Sequence, residues 1–368
     1  MKIICNTQKL SEVCSNVQRA VSSKTSIPAI EGILMHAFKD KLTLTGYDLE
    51  VGVTTCIDSK VEEEGNIIIN ARILCDILKK LPCENVSIEA DERQLCIIKC
   101  GEVEYKLVGI SADEYPELPS ISGGYPVIIE SEILSDMIRQ TIFAAAVNDA
   151  KIVHTGLKFE IERDQLRIVA VDGFRLAIRT ENIKYTGENM SFIVPAKTLS
   201  EVVKLINNDE ALTLSVGKRH IIFEVGNYNI ISRLLDGDFL DYNAALPKSL
   251  STEVEVNVKM FVDSIERASL LITDRLKSPL RCVFEDNIIR ISTITALGTA
   301  SDKVFAQIEG SRVEIGFNNR FLLDALKACD VENVKLKLNG PLSPITIVPP
   351  QSENFLFLIL PVRLKNES

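Results

Sequence analysis

The chain has 368 residues, a formal net charge of −10, 46% hydrophobic residues and 25% charged residues, a composition typical of a soluble globular protein of two or three domains. The acidic balance argues against a protein coated in basic surface for nucleic acid, and no apolar run approaches the ~18 residues that a membrane span needs. Nine scattered cysteines without a C-x-x-C pattern, and an N-terminus without the apolar segment of a signal peptide, favour a reducing compartment, so we expect a cytoplasmic protein.

Apolar residues at helical spacing open each third of the chain, at residues 8–21, 133–147 and 260–272. A second helical pattern also occurs three times, as ARILCDILKKL at 71–81, AKTLSEVVKLI at 196–206 and NRFLLDALKAC at 319–329. Each copy has a basic residue at its second position, an acid four residues later, and a β-rich run before it. The chain therefore repeats one α+β unit.

The offset between copies is about 125 residues and then about 123, and the alternating runs at 42–44, 166–168 and 289–291 follow the same offset. Each third is predicted to run strand, helix, strands, helix, strands. Proline- and glycine-containing segments at 111–126 and 236–252 resemble linkers. We therefore predict three domains, at residues 1–120, 121–249 and 250–368.

The segment AVDGFRLAI at 170–178 predicts a β-hairpin, because an Asp-Gly step lies between apolar alternations. Phe174, Arg175 and Leu176 follow the turn at once. An ordinary hairpin would place Leu176 in the core, whereas a functional surface would leave all three side chains facing solvent.

The C-terminal segment FLFLILPVRL at 355–364 predicts a central apolar strand whose last residues emerge at an edge. Leu360, Pro361 and Val362 then either end a core strand or form one wall of an apolar groove.

The six helical windows carry a net charge of +6, which leaves −16 for the rest of the chain. If these helices lie on one side of the molecule, that side is mildly positive and suits loose contact with phosphates. Such contacts carry no information about the base sequence. No phosphate-binding loop, dinucleotide fingerprint or nucleophile elbow is present, and His36, His154 and His220 fall in separate contexts. We expect no cofactor and no metal, although an enzyme with an unrecognised site stays an alternative.

Short segments along the whole chain resemble the bacterial β sliding clamps, the processivity subunits of the replicative DNA polymerase. They are SIPAI at 26–30, TGYDLE at 45–50, DGFRLA at 172–177, IVP at 193–195, EIGF at 314–317 and LPVRL at 360–364. The resemblance implies a non-catalytic polymerase subunit with three clamp-type α+β domains. Two such chains would form a head-to-tail homodimer, a closed six-domain ring with helices lining the hole and sheets outside.

The implied partners are double-stranded DNA, encircled without sequence specificity, and the replicative polymerase, the clamp loader and other proteins with short clamp-binding motifs. No membrane partner is implied. A three-domain peptide-binding scaffold without a DNA role is the alternative from another class.

The resemblance also implies the site residues. An apolar peptide groove between domains 2 and 3 would be lined by His154, Val171, Gly173, Phe174, Arg175, Leu176, Leu240, Ala245, Leu358, Leu360, Pro361 and Val362. Phe174 stands where a His is common in the family, and His154 where an aliphatic residue is expected. The DNA-facing residues would be Lys24, Arg72, Lys79, Asn148, Lys151, Lys197 and Lys204, and the dimer contacts Tyr105 and Leu107 against Leu270 and Leu271.

Overall fold

A computed structural model of the chain describes residues 1–22, 25–121, 126–206, 211–247, 249–273 and 278–364. The predicted order of strands and helices is found in each third, and the fold mixes both element types. Among the described residues, no helix is both long enough and apolar enough to cross a membrane.

The first third contains β1 Lys2–Asn6, α1 Thr7–Val17, β2 Gly32–Phe38, β3 Lys41–Tyr47, β4 Val51–Asp58, β5 Lys60–Glu63, β6 Gly65–Asn70, α2 Ala71–Leu78, β7 Asn85–Ala90, β8 Leu95–Cys100 and β9 Val103–Val108. The second contains β10 Val127–Glu130, α3 Ser131–Ile142, β11 Gly156–Glu162, β12 Gln165–Val171, β13 Arg175–Asn182, β14 Met190–Pro195, α4 Ala196–Leu205, β15 Ala211–Val216, β16 His220–Val225 and β17 Tyr228–Arg233. The last contains β18 Thr252–Asn257, α5 Val258–Ser269, β19 Leu280–Glu285, β20 Ile288–Thr295, β21 Gly298–Phe305, β22 Gln307–Gly310, β23 Val313–Phe317, α6 Asn319–Lys327, β24 Asn333–Leu338, β25 Ile345–Val348 and β26 Phe355–Ile359.

The helices that open the thirds end earlier than their periodicity predicts. α1 ends at Val17 and α3 at Ile142, whereas the apolar spacing continues to residues 21 and 147. The chain continues there in tighter turns, in which the Val21 N–H donates to Gln18 O at 3.0 Å. Apolar spacing marks the face that is buried and does not mark where the backbone leaves the helix.

Four helices begin directly after an asparagine that ends a strand or immediately follows one. Asn6, Asn70, Asn257 and Asn318 each accept a hydrogen bond from a backbone N–H in the first turn, at 2.9 to 3.1 Å. Such a cap satisfies a donor that the helix itself cannot and is worth about 1 kcal/mol. The sequence thus fixes the strand-to-helix junctions locally.

One compact unit comprises Met1–Glu132 and Lys197–Leu234. It holds a five-stranded sheet, β5-β1-β7-β8-β9, and an eight-stranded sheet, β10-β15-β16-β17-β4-β3-β2-β6. α1 packs on β3 and β4, and α2 packs on α1 and β6. α4 lies over the same face, because Thr198 Oγ1 is 2.8 Å from Ser232 Oγ on β17 and Glu201 pairs at 3.3 Å with Arg19, just beyond α1.

The other compact unit comprises Ile133–Ala196 and Leu235–Ser368. It holds a nine-stranded sheet, β14-β11-β12-β13-β26-β25-β24-β18-β22, and a four-stranded sheet, β21-β20-β19-β23. α5 packs on α6, β20 and β21, and α6 packs on β26. Within this core the rings of Phe355 and Phe357 stack with centroids 4.8 Å apart, and Phe143 meets Phe357 edge-on at 5.2 Å.

The two compact units do not coincide with the three repeats, because two sheets run from one repeat into the next. β4 of the first third pairs with β17 of the second, with Val53 opposite Ile230. β13 of the second third pairs with β26 of the last, with Leu176 opposite Leu358. β26 therefore lies between β13 and β25, which confirms that the apolar C-terminal strand is central.

Candidate functional site

The hairpin predicted at residues 170–178 is present as β12, a three-residue turn and β13. Asp172 Oδ1 accepts from the backbone N–H groups of Phe174 and Arg175 at 2.9 and 3.0 Å. Gly173 has a φ of +85°, a conformation that side-chain-bearing residues rarely adopt. The turn leaves the side chain of Phe174 60% exposed.

Arg175 ties this turn to α6. Its Nε donates to Asp172 Oδ2 at 2.9 Å, and its Nη1 donates to Asp324 Oδ2 at 2.6 Å. The guanidinium also lies 4.5 Å from the centre of the Phe321 ring, a favourable cation–π arrangement. Two carboxylates therefore pair with its single positive charge, and Arg175 connects the turn to α6.

The C-terminal exit of the chain lies against the same turn. The Leu360 N–H donates to Phe174 O at 2.9 Å, and the Val362 N–H donates to Gly316 O at 2.8 Å. The Phe174 and Phe321 rings stack with centroids 6.0 Å apart. The exposed Phe174 and Leu360 and the half-buried Phe321 together form an apolar surface, called the Phe174 surface below.

A buried layer lies beside this surface. Its members form one cluster: Val169, Val171, Leu176, Ile178, Tyr242 and Leu358. Leu176 is only 2% exposed, so it belongs to the core, as the ordinary-hairpin interpretation predicts, and does not face solvent. A charge at Leu176 would therefore damage the core as well as any surface above it.

The predicted groove residues fall into two sets. His154, Val171, Leu176 and Leu358 are buried, and Arg175 and Pro361 are half-buried. Gly173, Phe174, Leu240, Ala245, Leu360 and Val362 are exposed. The exposed set can touch a ligand directly, and the buried set can support it from below.

The connection that carries Leu240 and Ala245 is held onto β11 by Tyr242. The Tyr242 hydroxyl donates to Glu160 Oε2 at 2.5 Å, and Lys158 Nζ lies 2.6 Å from Glu160 Oε1. Partial burial alone would raise the pKa of Glu160, but the hydrogen bonds from Lys158 and Tyr242 outweigh it and hold that pKa below its ordinary value. Burial and the Glu160 carboxylate raise the pKa of Tyr242 to about 12, so the hydroxyl stays protonated.

His154 is buried beside this connection, with its ring edge-on to Phe239 at 5.9 Å. Its Nδ1 lies 2.9 Å from Asp149 Oδ2. Hydrogen bonds from the Lys151 N–H and from His154 lower the pKa of Asp149. Because a carboxylate only accepts, His154 Nδ1 carries the proton of this pair.

Four residues of this region do not appear among the sequence predictions: Phe239, Tyr242, Phe321 and Asp324. Asp324 is the acid of the repeated helical pattern, and Phe321 stands where the other copies have Ile73 and Thr198. The one signal in the sequence was that this copy of the pattern has an aromatic residue where the other two have none, since nothing local connects residue 324 to residue 175.

The predicted DNA-facing residues that the structure describes are exposed. Arg72 and Lys79 lie on and just after α2, and Lys197 and Lys204 lie on α4, over the same face of the eight-stranded sheet. Asn148 and Lys151 lie in the other compact unit, before β11. Lys24 lies outside the described residues.

The side chains of Arg72 on α2 and Lys197 on α4 are largely exposed to solvent. The side chains of Arg72 and Lys197 are 87% and 68% exposed, and their acidic neighbours lie at 3.9 and 3.1 Å. Exposed pairs of this kind are worth little, so these cations remain available to another anion. The third copy of the pattern places Arg320 at the matching, exposed position, which the list of predicted residues omitted.

Two of the predicted dimer contacts lie on an edge strand, and the other two, Leu270 and Leu271, directly follow a helix. Tyr105 and Leu107 are on β9, an edge strand of the five-stranded sheet, and Leu270 follows α5 and is 80% exposed. At one edge of the four-stranded sheet, Val362 forms a bridge with Gly316 on β23. The other edge, β21, ends on Phe305, which is 69% exposed. Within the described residues, β9 and β21 thus offer unpaired strand edges with apolar side chains, which favour pairing with another chain.

No group of three or more His, Cys, Asp or Glu residues in the described part of the chain is arranged to hold a metal ion. The geometry is that of a protein with a triplicated α+β domain, unpaired sheet edges and an apolar surface beside a tight turn. These are features of a chain that assembles and binds other macromolecules.

Comparison with known proteins identifies the family. The DNA polymerase III beta subunit models match in chain order: the N-terminal domain at residues 1–119, the central domain at 128–241 and the C-terminal domain at 243–363. The chain belongs to the DNA polymerase III beta subunit family, the bacterial β sliding clamps, and has three clamp domains.

Individual relatives match along the whole chain. The beta sliding clamp of Bacillus subtilis (strain 168) is 32% identical over 376 residues, covering 99% of this chain and all of the relative. The crystal structure of the Bacillus subtilis sliding clamp has a TM-score of 0.96, with 99% of this chain and 100% of that chain covered. A Pseudomonas aeruginosa sliding clamp bound to griselimycin is 26% identical, with a TM-score of 0.94 and the same coverage.

Proposed function

We propose that this chain is the processivity factor of a replicative DNA polymerase, a non-catalytic subunit that encircles duplex DNA as a sliding clamp. The observation that supports this proposal most directly is the match to a beta sliding clamp along the whole chain, at 32% identity over 99% of its residues. Three clamp domains are proposed at residues 1–120, 121–249 and 250–368, and the family matches at 1–119, 128–241 and 243–363 support this order, although the third match begins seven residues before the proposed boundary. A ring linked to DNA by topology needs no base recognition, because contacts to phosphates hold the duplex without reading its sequence.

The active form in this proposal is a head-to-tail homodimer, a closed ring of six domains with the helices lining the hole and the sheets outside. β9 ends one sheet and β21 ends another, so pairing these different edges of two chains gives a heterologous contact, which forms a ring when the rotation between the chains closes. Tyr105 and Leu107 would then meet Leu270 and Leu271. Val108 and Phe305, 86% and 69% exposed, are further candidates for burial in this interface.

DNA would be held by weak, distributed contacts. Arg72, Lys79, Lys197 and Lys204 offer exposed cations on helices over one sheet face, and Lys24, Asn148 and Lys151 complete the proposed set. Each phosphate that a cation neutralises releases counterions, and such contacts carry no sequence information. A ring that must slide gains from contacts that are individually weak.

Partner proteins would dock on the Phe174 surface through short peptide motifs. The proposed groove comprises the exposed residues Phe174, Leu240, Ala245, Leu360 and Val362 above the buried layer of Val171, Leu176 and Leu358. Burial of two apolar anchors at ~1.5–3 kcal/mol each, less the cost of association, gives affinities of order μM. The polymerase, the clamp loader and other motif-bearing proteins could then exchange on one site in the cytoplasm.

Two measurements test the proposal together. Hydrodynamic mass should be that of a dimer, and protein loaded onto nicked circular DNA should stay bound until the circle is cut into a linear molecule. A monomer at micromolar concentration, or equal loss from circular and linear DNA, would overturn it. The second outcome with an intact peptide site would favour the scaffold without a DNA role.

A further inference from the structure

The two thiols of Cys83 and Cys100 form a contact that the clamp function does not use. Cys100 ends β8 and is 2% exposed, and Cys83 lies half-buried in the connection between α2 and β7. The Cys83 N–H donates to Cys100 Sγ at 3.1 Å. A Cβ placed on the next residue, Gly101, would lie 3.0 Å from Cys83 Sγ, so both sulfur atoms approach the same turn.

We propose that Cys83 and Cys100 are an oxidative modification site, which hydrogen peroxide converts into an intramolecular disulfide. The Cys83 thiolate attacks one peroxide oxygen, the O–O bond breaks, and Cys83 becomes a sulfenic acid as hydroxide leaves and takes up a proton. Cys100 sulfur then attacks Cys83 sulfur and loses its proton, and the sulfenic oxygen leaves as a second water. Two thiols thus give up two electrons to one peroxide.

The reaction order follows from exposure. Cys83 is the more accessible sulfur and meets the oxidant, whereas Cys100 is buried and can reach only its neighbour. The hydrogen bond with Cys100 raises the pKa of the Cys83 thiol. Because the thiolate is the reactive form, oxidation should accelerate as the pH rises above neutral.

The proposed reaction requires a thiol that the oxidant can reach and a second sulfur in contact with it, and Cys14 and Cys56 each lack one of these. Cys14 is buried beside Cys5 and Cys75, and burial raises its pKa well above the ordinary value, so oxidant does not reach a thiolate there. Cys56 is exposed, but the described residues place no second sulfur in contact with it. Cys56 therefore serves as a matched single-thiol control.

The disulfide would fasten the β8–β9 hairpin to the connection after α2. Within one chain, the described residues pair β9 with β8 and with no other strand of its sheet, so the placement of β9 depends on the hairpin that Gly101 turns. Closing a loop between residues 83 and 100 restricts the unfolded chain. Oxidation should therefore slow amide exchange in residues 103–108 and raise the melting temperature of this unit by about 5 °C or more.

The experiment treats the reduced full-length protein with hydrogen peroxide, caps free thiols by alkylation and maps the digest by mass spectrometry. A peptide pair linked through residues 83 and 100 is expected in the wild type and in Cys56→Ser, and no such pair in Cys83→Ser. In Cys100→Ala, Cys83 should stop at a sulfenic acid that dimedone traps.

Because Cys100 is buried, the Cys100→Ala variant could fold poorly. The test therefore depends on the linked peptide pair in the wild type compared with Cys83→Ser, and on the amide exchange of residues 103–108. Wild-type protein in which Cys83 accumulates as sulfenic or sulfinic acid without a link to Cys100 would overturn the proposal. A link that leaves β9 exchange unchanged would overturn the proposed fastening of the edge strand.

Discussion

Replacing Phe174 by alanine should weaken peptide binding while the fold persists. The side chain is 60% exposed, and an aromatic side chain has roughly 200 Å² of surface. If a bound peptide covers half of the exposed part, about 60 Å² is buried, worth ~1.5 kcal/mol at ~25 cal/mol per Å². The dissociation constant should therefore rise about tenfold. Loss of the stack on Phe321 should lower the free energy of unfolding by about 1 kcal/mol or less.

The assay is fluorescence anisotropy of a labelled peptide that carries the clamp-binding segment of the replicative polymerase, with a urea titration of each variant. Phe38→Ala is the matched control, since Phe38 is a 49% exposed phenylalanine on β2 in the other compact unit. Its peptide affinity should equal that of the wild type. Unchanged affinity in a folded Phe174→Ala protein, or equal loss in both variants, would refute the assignment of this surface to the groove.

Three further predictions address the interface, the DNA surface and the support of the groove. Leu270→Asp should halve the hydrodynamic mass without unfolding, because Leu270 is 80% exposed in the single chain; a persistent dimer would place the interface elsewhere. Lys197→Glu combined with Arg72→Glu should shorten retention on circular DNA and reduce the slope of log affinity against log salt by about 2, whereas an unchanged slope would remove both residues from the DNA surface. Tyr242→Phe should lower the free energy of unfolding at pH 7 by about 1 kcal/mol, as the 2.5 Å bond to Glu160 is lost. Folding lowers the pKa of Glu160, so this difference in the free energy of unfolding, measured with urea, is present at a pH above the ordinary pKa of Glu160. It should shrink as the pH falls through the lower pKa of Glu160 in the folded protein; a difference independent of pH would contradict that origin.

The turn that carries Phe174 was predictable from the sequence, but the burial and the partners of the residues that follow it were not. Asp172, Gly173 and Phe174 form a turn whose chemistry is local, and the structure has that turn. Leu176 lies two residues further along the same segment and is buried, because it packs in one cluster with Val171, Tyr242 and Leu358. Arg175 finds its partner Asp324 at a separation of 149 residues, which no local pattern encodes.

The sequence by itself determined the triplication, the six helical segments and the asparagine caps, because periodicity and capping act over a few residues. Only the tertiary structure decided that sheets continue from one repeat into the next, so that the compact units divide the central repeat between them. The physical reason lies in the ladder between strands. Val53 and Ile230 lie opposite each other on paired strands, but each is an ordinary apolar strand residue whose partner is chosen by the packing of the whole sheet.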